Sequence, residues 1–313
     1  MKNPLPQELV DRLTKQFGPG AVGLMFQAFD KPRLPTFRVN TLKSTDELVM
    51  NRLRDEAIAF ERVKEIPHAF KIKNRTDKQL LEHELATSGQ IYLQGLSSMV
   101  PPLLMDLKPT DAILDLCAAP GSKTSEIAAL MGSSPSPSLA GGGSKHGRVL
   151  AMEDNEIRYQ KLLNTLSIQG ATSVEARHGD STQLHKELPE AFDKILADVP
   201  CSAEGRIEFG DQRSFKYWSE KNITEHAKLQ RRLLRSAVAC LKPGGTLVYS
   251  TCTLAPEENE GMIEWLIGEF PFMKPVEVTI PLKNFKKTAH KSVTLLPSAE
   301  AEGFFVAKLQ KTV

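Results

Sequence analysis

The stretch Ala112-Ile-Leu-Asp-Leu-Cys-Ala-Ala-Pro-Gly-Ser-Lys-Thr124 decides the fold that we predict for this chain. Its apolar start, which ends in Asp115, is typical of a buried parallel strand. A turn of small residues follows from Cys117 to Ser122, and a helix-compatible run covers residues 123–131. A strand, a tight turn and a helix in this order hold a nucleotide-like cofactor against the backbone amides of a helix N-terminus.

The turn lacks the sequence patterns of phosphate-binding loops. Neither the dinucleotide fingerprint G-x-G-x-x-G nor the pattern G-x-x-x-x-G-K-[ST] follows the predicted strand. We therefore expect a cofactor without phosphate groups rather than a dinucleotide or ATP.

Beyond Ala112 the sequence alternates between apolar runs of strand length and longer runs with helical spacing. We predict strands over residues 112–115, 148–152, 173–177, 193–197, 246–250 and 304–309. We predict helices over residues 123–131, 155–169 and 222–241, and one more that begins at Pro256. Repeated strand–helix units predict an α/β fold with a mostly parallel, doubly wound sheet and right-handed crossovers.

Local signals set the limits of the predicted helices. Gly170 is expected to end the helix over residues 155–169. Asn222 stands before Glu225 at a spacing typical of an N-terminal cap. Pro243-Gly-Gly245 is expected to stop the helix that Asn222 begins.

The first part of the chain mixes short helical and strand patterns, which predicts a small α+β domain over residues 1–95. A helix over residues 46–59 is expected to place Leu48, Leu53 and Ala57 on one face. The second predicted domain covers residues 96–313. Within it, residues 133–147 are rich in Ser, Pro and Gly, and we interpret them as a flexible surface insertion.

The first domain is locally basic, although the formal net charge of the 313-residue chain is only +2. Any surface for nucleic acid must come from such clustering. Ordinary solvated surface charge is an equally good interpretation of each residue. The basic residues concerned are Arg33, Arg38, Lys43, Lys71, Lys73 and Arg75.

Composition excludes several classes of protein. The hydrophobic share of 41% and the charged share of 25% are ordinary for a soluble globular chain. No apolar run is long enough to span a bilayer, and the first residues lack the apolar core of a signal peptide. Four cysteines, none in a C-x-x-C pair, argue against a disulfide scaffold and a zinc site. We expect a cytoplasmic monomer with free thiols, no membrane contact and no metal.

Residues at two strand ends point to the chemistry, because ligands of open α/β sheets bind outside the carboxyl ends of the strands. Asp198-Val-Pro-Cys-Ser202 follows one predicted strand, and Tyr249-Ser-Thr-Cys-Thr253 ends another. Cys201 and Cys252 are therefore expected at the same edge of the sheet, together with the carboxylate of Asp198.

The alternative for each cysteine is burial as a small apolar residue. We favour burial for Cys240, on the inner face of a helix, and for Cys117. Cys201 and Cys252 are flanked by small polar residues at strand ends, which favours a chemical role.

Acidic residues follow two further strands. Glu153 comes after residues 148–152, where a carboxylate accepts hydrogen bonds from ribose hydroxyls. Gly179-Asp180 follows residues 173–177. Acids at strand ends are common, so a plain surface role stays open for Glu153.

Several segments in this order resemble the S-adenosylmethionine-dependent RNA 5-methylcytosine methyltransferases of the Sun/Nop2 type, which include bacterial rRNA enzymes. Each segment alone is a weak signal, and their order makes the resemblance specific from Phe37 onward. They are Phe37-Arg-Val-Asn40, Asp115-Leu-Cys-Ala-Ala-Pro-Gly-Ser-Lys123, Asp198-Val-Pro-Cys-Ser202, Ser250-Thr-Cys252 with Pro256-Glu-Glu-Asn-Glu260, and Glu302-Gly-Phe-Phe-Val-Ala307.

The resemblance implies a Rossmann-like class I methyltransferase fold and an RNA (cytosine-C5-)-methyltransferase, acting on rRNA rather than tRNA. Two positions depart from the family pattern, because Ser122 and Ala203 stand where the family usually has glycine. We expect both changes to reshape the loops only slightly. With no long extension at either end, target capture is expected to rest on the basic first region.

The resemblance implies S-adenosylmethionine as cofactor, in agreement with the phosphate-free prediction. It puts the methionine part over residues 117–121, the ribose hydroxyls at Glu153 and the adenine amino group at Asp180. The implied cofactor-binding residues are Cys117, Ala118, Ala119, Pro120, Gly121, Ser122, Lys123, Glu153, Arg158, Asp180 and Asp198.

The resemblance also implies covalent catalysis, because C5 of cytosine is too weak a nucleophile unaided. Cys252 is implied as the thiolate that adds to C6, and Asp198 as the group that contacts N3 and the exocyclic amine. Cys201 is implied in release of the product. Lys123 is expected to orient Asp198; the alternative is a solvated lysine on the first helical turn.

The target base must leave its stack to reach such a site, which favours RNA loops. Aromatic residues among basic ones suit stacking and phosphate contact, although Tyr217 and Trp218 fit packing on the sheet equally well. The residues expected along the RNA path are Arg206, Arg213, Lys216, Tyr217 and Trp218, and a second basic cluster is Lys283, Lys286, Lys287 and Lys291.

Alternative functions remain open at this stage. A DNA cytosine methyltransferase attacks with the cysteine of a Pro-Cys motif, and the second thiol at Cys252 argues against it. A tRNA methyltransferase, a non-catalytic RNA-binding ribosome assembly factor and a small-molecule methyltransferase are the others. The filled catalytic positions argue against the assembly factor, and the basic first region argues against the small molecule.

Overall fold

The computed structural model describes residues 4–132 and 147–312. Two helices come first, and a four-stranded antiparallel sheet follows, in the order β2-β3-β1-β4. The elements of this part are α1 (Gln7–Phe17), α2 (Pro19–Phe29), β1 (Thr36–Val39), α3 (Asp46–Asp55), β2 (Phe60–Arg62), β3 (Ala69–Ile72), α4 (Asp77–Leu81), α5 (Glu84–Thr87) and β4 (Ile91–Leu93). The short helix α6 (Val100–Leu103) follows and packs with the second part of the chain. The small N-terminal α+β unit is thereby confirmed.

The core of the small sheet is filled from α3 and from the strands. Val49 and Leu53 of α3 are buried with Phe37, Phe70 and Ile72. Side chains four positions apart lie on one face of a helix, so α3 packs along this stripe.

The prediction for α3 was partly wrong. Leu48 is 61% exposed, because the buried stripe starts one residue later at Val49. The helix ends at Asp55 rather than at residue 59, and Ala57 adopts a positive φ of 50°. The Ile58 amide donates back to the Leu53 carbonyl at 2.8 Å, which turns the chain into β2.

A nine-stranded sheet forms the second part, in the order β11-β12-β13-β9-β8-β5-β6-β7, with β10 paired to β13. Its elements are β5 (Ala112–Asp115), α7 (Ser122–Met131), β6 (Arg148–Glu153), α8 (Glu156–Gln169), β7 (Val174–His178), β8 (Phe192–Asp198), α9 (Glu220–Cys240), β9 (Leu241–Thr251), α10 (Glu260–Glu269), β10 (Met273–Val276), β11 (Phe285–Lys287), β12 (Val293–Leu295) and β13 (Phe304–Lys311).

Strands β5 to β9 pair in parallel, which confirms the predicted doubly wound α/β sheet. β13 then pairs antiparallel to β9 and carries β10 and β12. The sequence analysis missed β10, β11 and β12, which are only three or four residues long. The strand order reverses between β5 and β8, and the carboxyl ends of strands at such a switch point form a crevice.

Two predicted helix starts were wrong, and the predicted end of α9 was one residue too late. Ser219, not Asn222, caps α9, since its hydroxyl accepts the Asn222 amide at 3.2 Å. The helix ends at Cys240, and residues 243–245 already belong to β9. Pro256 lies in a turn, and α10 begins only at Glu260. Side chains of this turn bind the neighbouring loops, as described below, which favours the turn over a helical start.

Helices α1 and α2 pack on the second part of the chain rather than on the small sheet. Leu9, Leu13 and Met25 are buried against Ile207 and Phe215. The predicted insertion over residues 133–147 lies, apart from Gly147, outside the described residues. Within those residues, no helix is long and apolar enough to cross a bilayer.

Candidate active site

A cavity of about 450 Å³ opens at the switch point, above the carboxyl ends of β5 and β8. The turn after β5 forms its floor, the loop after β8 and the end of β9 form one wall, and the segment after β4 closes another side. The residues that line it are Tyr92, Leu93, Gln94, Gly95, Ser98, Asp115, Cys117, Ala118, Ala119, Pro120, Ser122, Lys123, Arg158, Asp198, Val199, Pro200, Cys201, Ala203, Arg206, Cys252, Glu302 and Phe304.

The turn after β5 depends on Gly121. This residue has a φ of +106°, and a Cβ there would lie 3.1 Å from side-chain atoms of Leu162 and Thr165 on α8. Only glycine combines this backbone conformation with this close approach. Ser122 begins α7, so a side chain at this departure from the family pattern is accommodated on the first helical turn.

Asp115 has an unusual environment at the floor of the cavity. One carboxyl oxygen accepts a hydrogen bond from the Thr124 hydroxyl at 2.7 Å, and the other, Oδ1, is buried without a partner among the described residues. Burial raises the pKa of Asp115 to about 6. Such an oxygen is an acceptor that a cationic or N–H-bearing ligand would satisfy.

Glu153, Arg158 and Asp180 border a narrow cleft beside the main cavity, and Cys117, Arg158 and Pro200 line both spaces. The Glu153 side chain is almost fully buried, and burial raises its pKa. Its oxygens accept the amides of Ala119 at 3.3 Å and Asn155 at 3.2 Å, which ties the turn after β5 to the end of β6.

The two other residues at this cleft are less constrained. Arg158 donates to the Ala119 carbonyl at 2.8 Å, and its side chain is 43% exposed. Asp180 is exposed, and one of its oxygens accepts the Thr182 amide at 2.8 Å. Both residues line the cleft.

Lys123 and Asp198 form an ion pair inside the cavity, with 2.8 Å between Nζ and Oδ2. Lys123 also donates to the Ser98 hydroxyl at 2.7 Å, and the Ser250 hydroxyl donates to the other Asp198 oxygen at 2.7 Å. Burial acts to lower the pKa of Lys123, but Asp198, Cys252 and Asp115 outweigh it and raise that pKa. Lys123 is therefore a buried cation that faces the carboxylate, not a solvated lysine.

The sulfur atoms of Cys201 and Cys252 lie 3.2 Å apart at the wall of the cavity. The Cys252 amide also approaches the Cys201 sulfur, at 3.3 Å. Contact with Cys252 and burial raise the pKa of the Cys201 thiol well above its usual range. Either thiol of the pair can be the hydrogen-bond donor, and the raised pKa favours the protonated form of Cys201.

The other two cysteines differ from this pair. Cys240 is fully buried in the core, and burial raises its pKa to about 11, as expected for a structural residue. Cys117 is only partly buried and lines both the cavity and the cleft, although burial raises its pKa as well. The interpretation of Cys117 as a buried residue is thus only partly confirmed, because it packs against the core but is also a lining residue of the cavity.

Several lining residues escaped the sequence analysis. Ser98 precedes the second domain's first strand, and Glu302 and Phe304 come from the far end of the chain. The Lys123 ammonium lies 5.7 Å from the centre of the Phe304 ring. The motif that contains Glu302 and Phe304 was recognised, but nothing in its local pattern shows that it meets Lys123.

The residues predicted to line the RNA path have different environments in the structure. Arg206 lines the cavity, 3.5 Å from Glu302 between Nε and Oε2. Tyr217 is 71% exposed, whereas Trp218 is packed against the α1–α2 cluster and donates to Glu204 at 2.7 Å. Arg213 pairs with the nearby Asp211.

The predicted basic patch of the first domain is largely used inside the protein. Arg38 is 3% exposed and donates to Gln94 at 3.0 Å and to the Ser125 hydroxyl at 2.7 Å, so it joins β1 to α7. Lys71 pairs with Glu300, and Lys43 binds backbone carbonyls of residues 88 and 168. Arg33, Lys73 and the C-terminal Lys287 also have acidic partners.

No group of three or more His, Cys, Asp or Glu side chains that could hold a metal ion occurs within residues 4–132 and 147–312.

The profile of the family described as 16S rRNA methyltransferase RsmB/F matches residues 102–310. The chain belongs to this family. A second profile, for the ferredoxin-like domain of RsmF/B-like methyltransferases, matches residues 5–79. The resemblance to Sun/Nop2-type RNA methyltransferases is thus confirmed, and with it S-adenosylmethionine as the cofactor of the family.

Curated relatives in the RsmB/F family carry the name ribosomal RNA small subunit methyltransferase F. The protein of Cronobacter sakazakii is 35% identical over 98% of this chain and 63% of its own length. That of Klebsiella pneumoniae is 37% identical over 91% of this chain and 59% of its own length. The chain therefore spans about three fifths of the length of these relatives.

A solved structure agrees with the fold. The crystal structure of a methyltransferase homolog protein from Pyrococcus horikoshii superposes with a TM-score of 0.81 and is 32% identical, covering 98% of this chain and 96% of that one.

Proposed function

We propose that this chain transfers a methyl group from S-adenosylmethionine to C5 of a cytosine in small-subunit ribosomal RNA. The observation that carries the proposal is the pair of sulfurs, Cys201 and Cys252, 3.2 Å apart in a cavity that also holds the Lys123–Asp198 ion pair. The names of the RsmB/F relatives support ribosomal RNA as the substrate.

The residues around the switch point fit the cofactor. Asp115 Oδ1 is a buried acceptor without a partner, suited to the α-amino group of the methionine part. The turn over residues 117–121 would carry that part, with Glu153 and Arg158 at the ribose and Asp180 at the adenine. The remaining proposed cofactor-binding residues are Ser122, Lys123 and Asp198. When bound, S-adenosylmethionine supplies the methyl group as an electrophile.

Cys252 is proposed as the nucleophile. Its thiolate forms a bond with C6 of the cytosine, and the electron pair of the C5–C6 double bond moves into the ring, which makes C5 nucleophilic. The thiolate is the form of a cysteine that attacks. Lys123 and Arg206 line the same cavity as Cys252, and the Cys201 thiol lies within hydrogen-bond distance of its sulfur.

Asp198 is proposed to bind the cytosine edge at N3 and the exocyclic amine, where charge develops as the thiolate adds. The Lys123 ammonium and the Ser250 hydroxyl each hold one of its oxygens, which fixes the direction of the carboxylate. As the thiolate adds, N3 takes up a proton from solvent, which it returns on release. The preorganised carboxylate stabilises the adduct by accepting hydrogen bonds from this N3–H and from the exocyclic amine.

Cys201 is proposed to act in release. After methylation, the Cys201 thiol passes its proton to the sulfur of Cys252 as the S–C6 bond breaks. The Cys201 thiolate formed in this way takes the proton from C5, and the electron pair of that C–H bond restores the C5–C6 double bond. Cys201 stands next to this sulfur and retains its own proton until then. Without it, the adduct is expected to persist.

We propose further that residues 1–95 and 96–313 act as the RNA-capturing and catalytic domains of a cytoplasmic monomer. The exposed Tyr217 and the cavity-lining Arg206 are the candidates for stacking and phosphate contact. Because much of the basic patch is paired internally, the second domain is expected to contribute to RNA binding as well.

The experiment is bisulfite mapping of total RNA from cells with and without this protein, paired with methylation of purified 16S rRNA, tRNA and DNA by the full chain. A cytosine in 16S rRNA that loses its 5-methyl group on deletion, and regains it with the wild-type chain but not with Cys252→Ala, supports the proposal. Methylation of tRNA alone indicates the tRNA alternative. A chain that binds RNA but methylates none of these substrates would be an assembly factor.

A further inference from the structure

The turn between β9 and α10 carries the segment Pro256-Glu-Glu-Asn-Glu260, to which the proposed chemistry assigns no role. Two neighbouring residues of this turn, Glu258 and Asn259, are fully buried, with 0% exposure each. Neither lines the cavity. A buried carboxylate and a buried amide are costly unless their hydrogen bonds serve the structure around them, so their partners indicate their purpose.

Glu258 holds the backbone on both sides of Cys201. Its carboxylate accepts the amide of Ser202 at 3.2 Å and the side-chain amide of Gln230 at 2.7 Å. That same Gln230 nitrogen donates to the carbonyl of Pro200 at 2.8 Å. The peptide groups that precede and follow Cys201 are therefore fixed by one pair of buried side chains.

Asn259 holds the chain on both sides of Cys252 in the same manner. Its Oδ1 accepts the hydroxyl of Thr251 at 2.6 Å, and its Nδ2 donates to the carbonyl of Thr253 at 3.0 Å. An amide suits this role, because it carries an acceptor and a donor on two separate atoms of one short side chain.

The two held segments are also joined to each other. The Ser202 and Thr253 hydroxyls are hydrogen-bonded at 2.7 Å, and the amide of Gly205 donates to the carbonyl of Cys252 at 2.9 Å. Because Glu258 and Asn259 are adjacent in one rigid turn, they set the position of one cysteine segment relative to the other.

We propose that Glu258 and Asn259 are positioning residues that hold the two sulfurs in contact, Glu258 through Cys201 and Asn259 through Cys252. This inference deepens the proposed function and rests on it for the consequences in turnover. Since Cys252 forms the adduct and Cys201 acts in its release, loss of each residue has its own signature. Disturbing Asn259 slows adduct formation, and disturbing Glu258 slows release.

The test uses near-isosteric variants of the full chain, Glu258→Gln and Asn259→Asp. Glu258→Gln sets an amide nitrogen against the Ser202 amide in either orientation of the new side chain, because both Glu258 oxygens face that donor. Asn259→Asp removes the donor to Thr253. Glu257→Gln is the matched control, because the neighbouring Glu257 is exposed and pairs with Arg12 instead. Thermal unfolding of each variant verifies that it is folded.

The first readout needs no methylation. Diamide accepts the two thiol hydrogens as Cys201 and Cys252 join in a disulfide, and mass spectrometry follows the loss of two hydrogens from the peptide pair. We expect closure to slow on the order of tenfold in Glu258→Gln and Asn259→Asp, and not in Glu257→Gln, since small misplacements strongly reduce the rate between two groups. Closure at the wild-type rate in both variants would overturn the inference.

The second readout is the fraction of RNA that migrates with the protein on a denaturing gel. In Glu258→Gln the protein-bound fraction of RNA is expected to rise above wild type while turnover falls. In Asn259→Asp the bound fraction and the turnover are both expected to fall. A merely destabilised fold would lower the bound fraction of RNA and the turnover in each of the two variants. That outcome would contradict the separate roles of Glu258 and Asn259. If the closure rates change as expected while even Cys201→Ala gives no adduct, the proposed function fails and the positioning role stands.

Discussion

The sulfur of Cys201 lies 3.2 Å from the sulfur of Cys252, although 51 residues separate them in sequence. β8 and β9 pair in parallel, so the segments after both strands leave the sheet on the same side. The contact is thus a consequence of strand order. The contact with Cys252, together with burial, raises the pKa of the Cys201 thiol.

Lys123→Met is expected to lower the single-turnover methylation rate on the order of a hundredfold, because Asp198 loses the cation that fixes and balances it. Lys123→Arg keeps the charge and is expected to retain more of the rate. Rapid-quench measurement with saturating RNA verifies this. Equal rates for the methionine and arginine variants would contradict the role of the charge.

Asp115→Asn is expected to stabilise the fold at pH 8. Because the pKa rises from 3.8 to about 6 on folding, the ionised carboxyl costs the folded state about 3 kcal/mol. Wild-type stability carries no such cost below pH 3.8 and loses this amount as the pH rises through 6. The free energy of urea unfolding of wild type and Asp115→Asn, measured at pH 8 and below pH 3.8, gives the difference.

The control for this experiment is Asp55→Asn, at the exposed end of α3, which should leave the pH profile unchanged. If the unfolding free energy of Asp115→Asn depended on pH in the same way as that of the wild type, the buried carboxyl would not be the cause of the pH dependence.

Ala203→Gly is expected to raise the free energy of unfolding by about 1 kcal/mol, because Ala203 has a φ of +59°, a left-handed conformation that disfavours a Cβ. This is one of the two positions where the family pattern has glycine. Ala191→Gly, at an alanine outside the positive-φ set, should destabilise instead. Chemical denaturation compares the three proteins, and a loss of stability in Ala203→Gly would contradict the strain.

Arg38→Gln is expected to destabilise the protein by about 3 kcal/mol, because buried partners on α7 and Gln94 lose a charged donor. Its affinity for RNA should stay unchanged when the folded fraction is accounted for. Lys73→Gln is the control for stability, because Lys73 is exposed and its replacement should leave the free energy of unfolding nearly unchanged. Weaker RNA binding by a fully folded Arg38→Gln protein would show that Arg38 contributes to RNA binding and would contradict this prediction.

Much of the site could be predicted from the sequence, because parallel strands end at one edge and the motifs at those ends have fixed spacing. The strands that end in Asp115 and Asp198 were identified by their apolar runs alone. Residues such as Ser98 and Glu302 could not be found this way, since only the tertiary fold brings them to the cavity.

The errors have physical causes as well. A basic residue such as Arg38 reads as surface charge in a sequence, and its burial depends on partners that come from α7. Pro256 resembles a helix start, but the next residues bind the cysteine loops and form a turn. Leu48 and Val49 are adjacent and equally apolar, so spacing alone did not decide which of them faces the core.

The most direct measurement of the central claim is the covalent state of RNA incubated with S-adenosylmethionine and either Cys201→Ala or Cys252→Ala. The account predicts a denaturation-resistant protein–RNA complex with Cys201→Ala, and neither a complex nor 5-methylcytosine with Cys252→Ala. Turnover by Cys252→Ala, or a complex that depends on Cys201 instead, would contradict it.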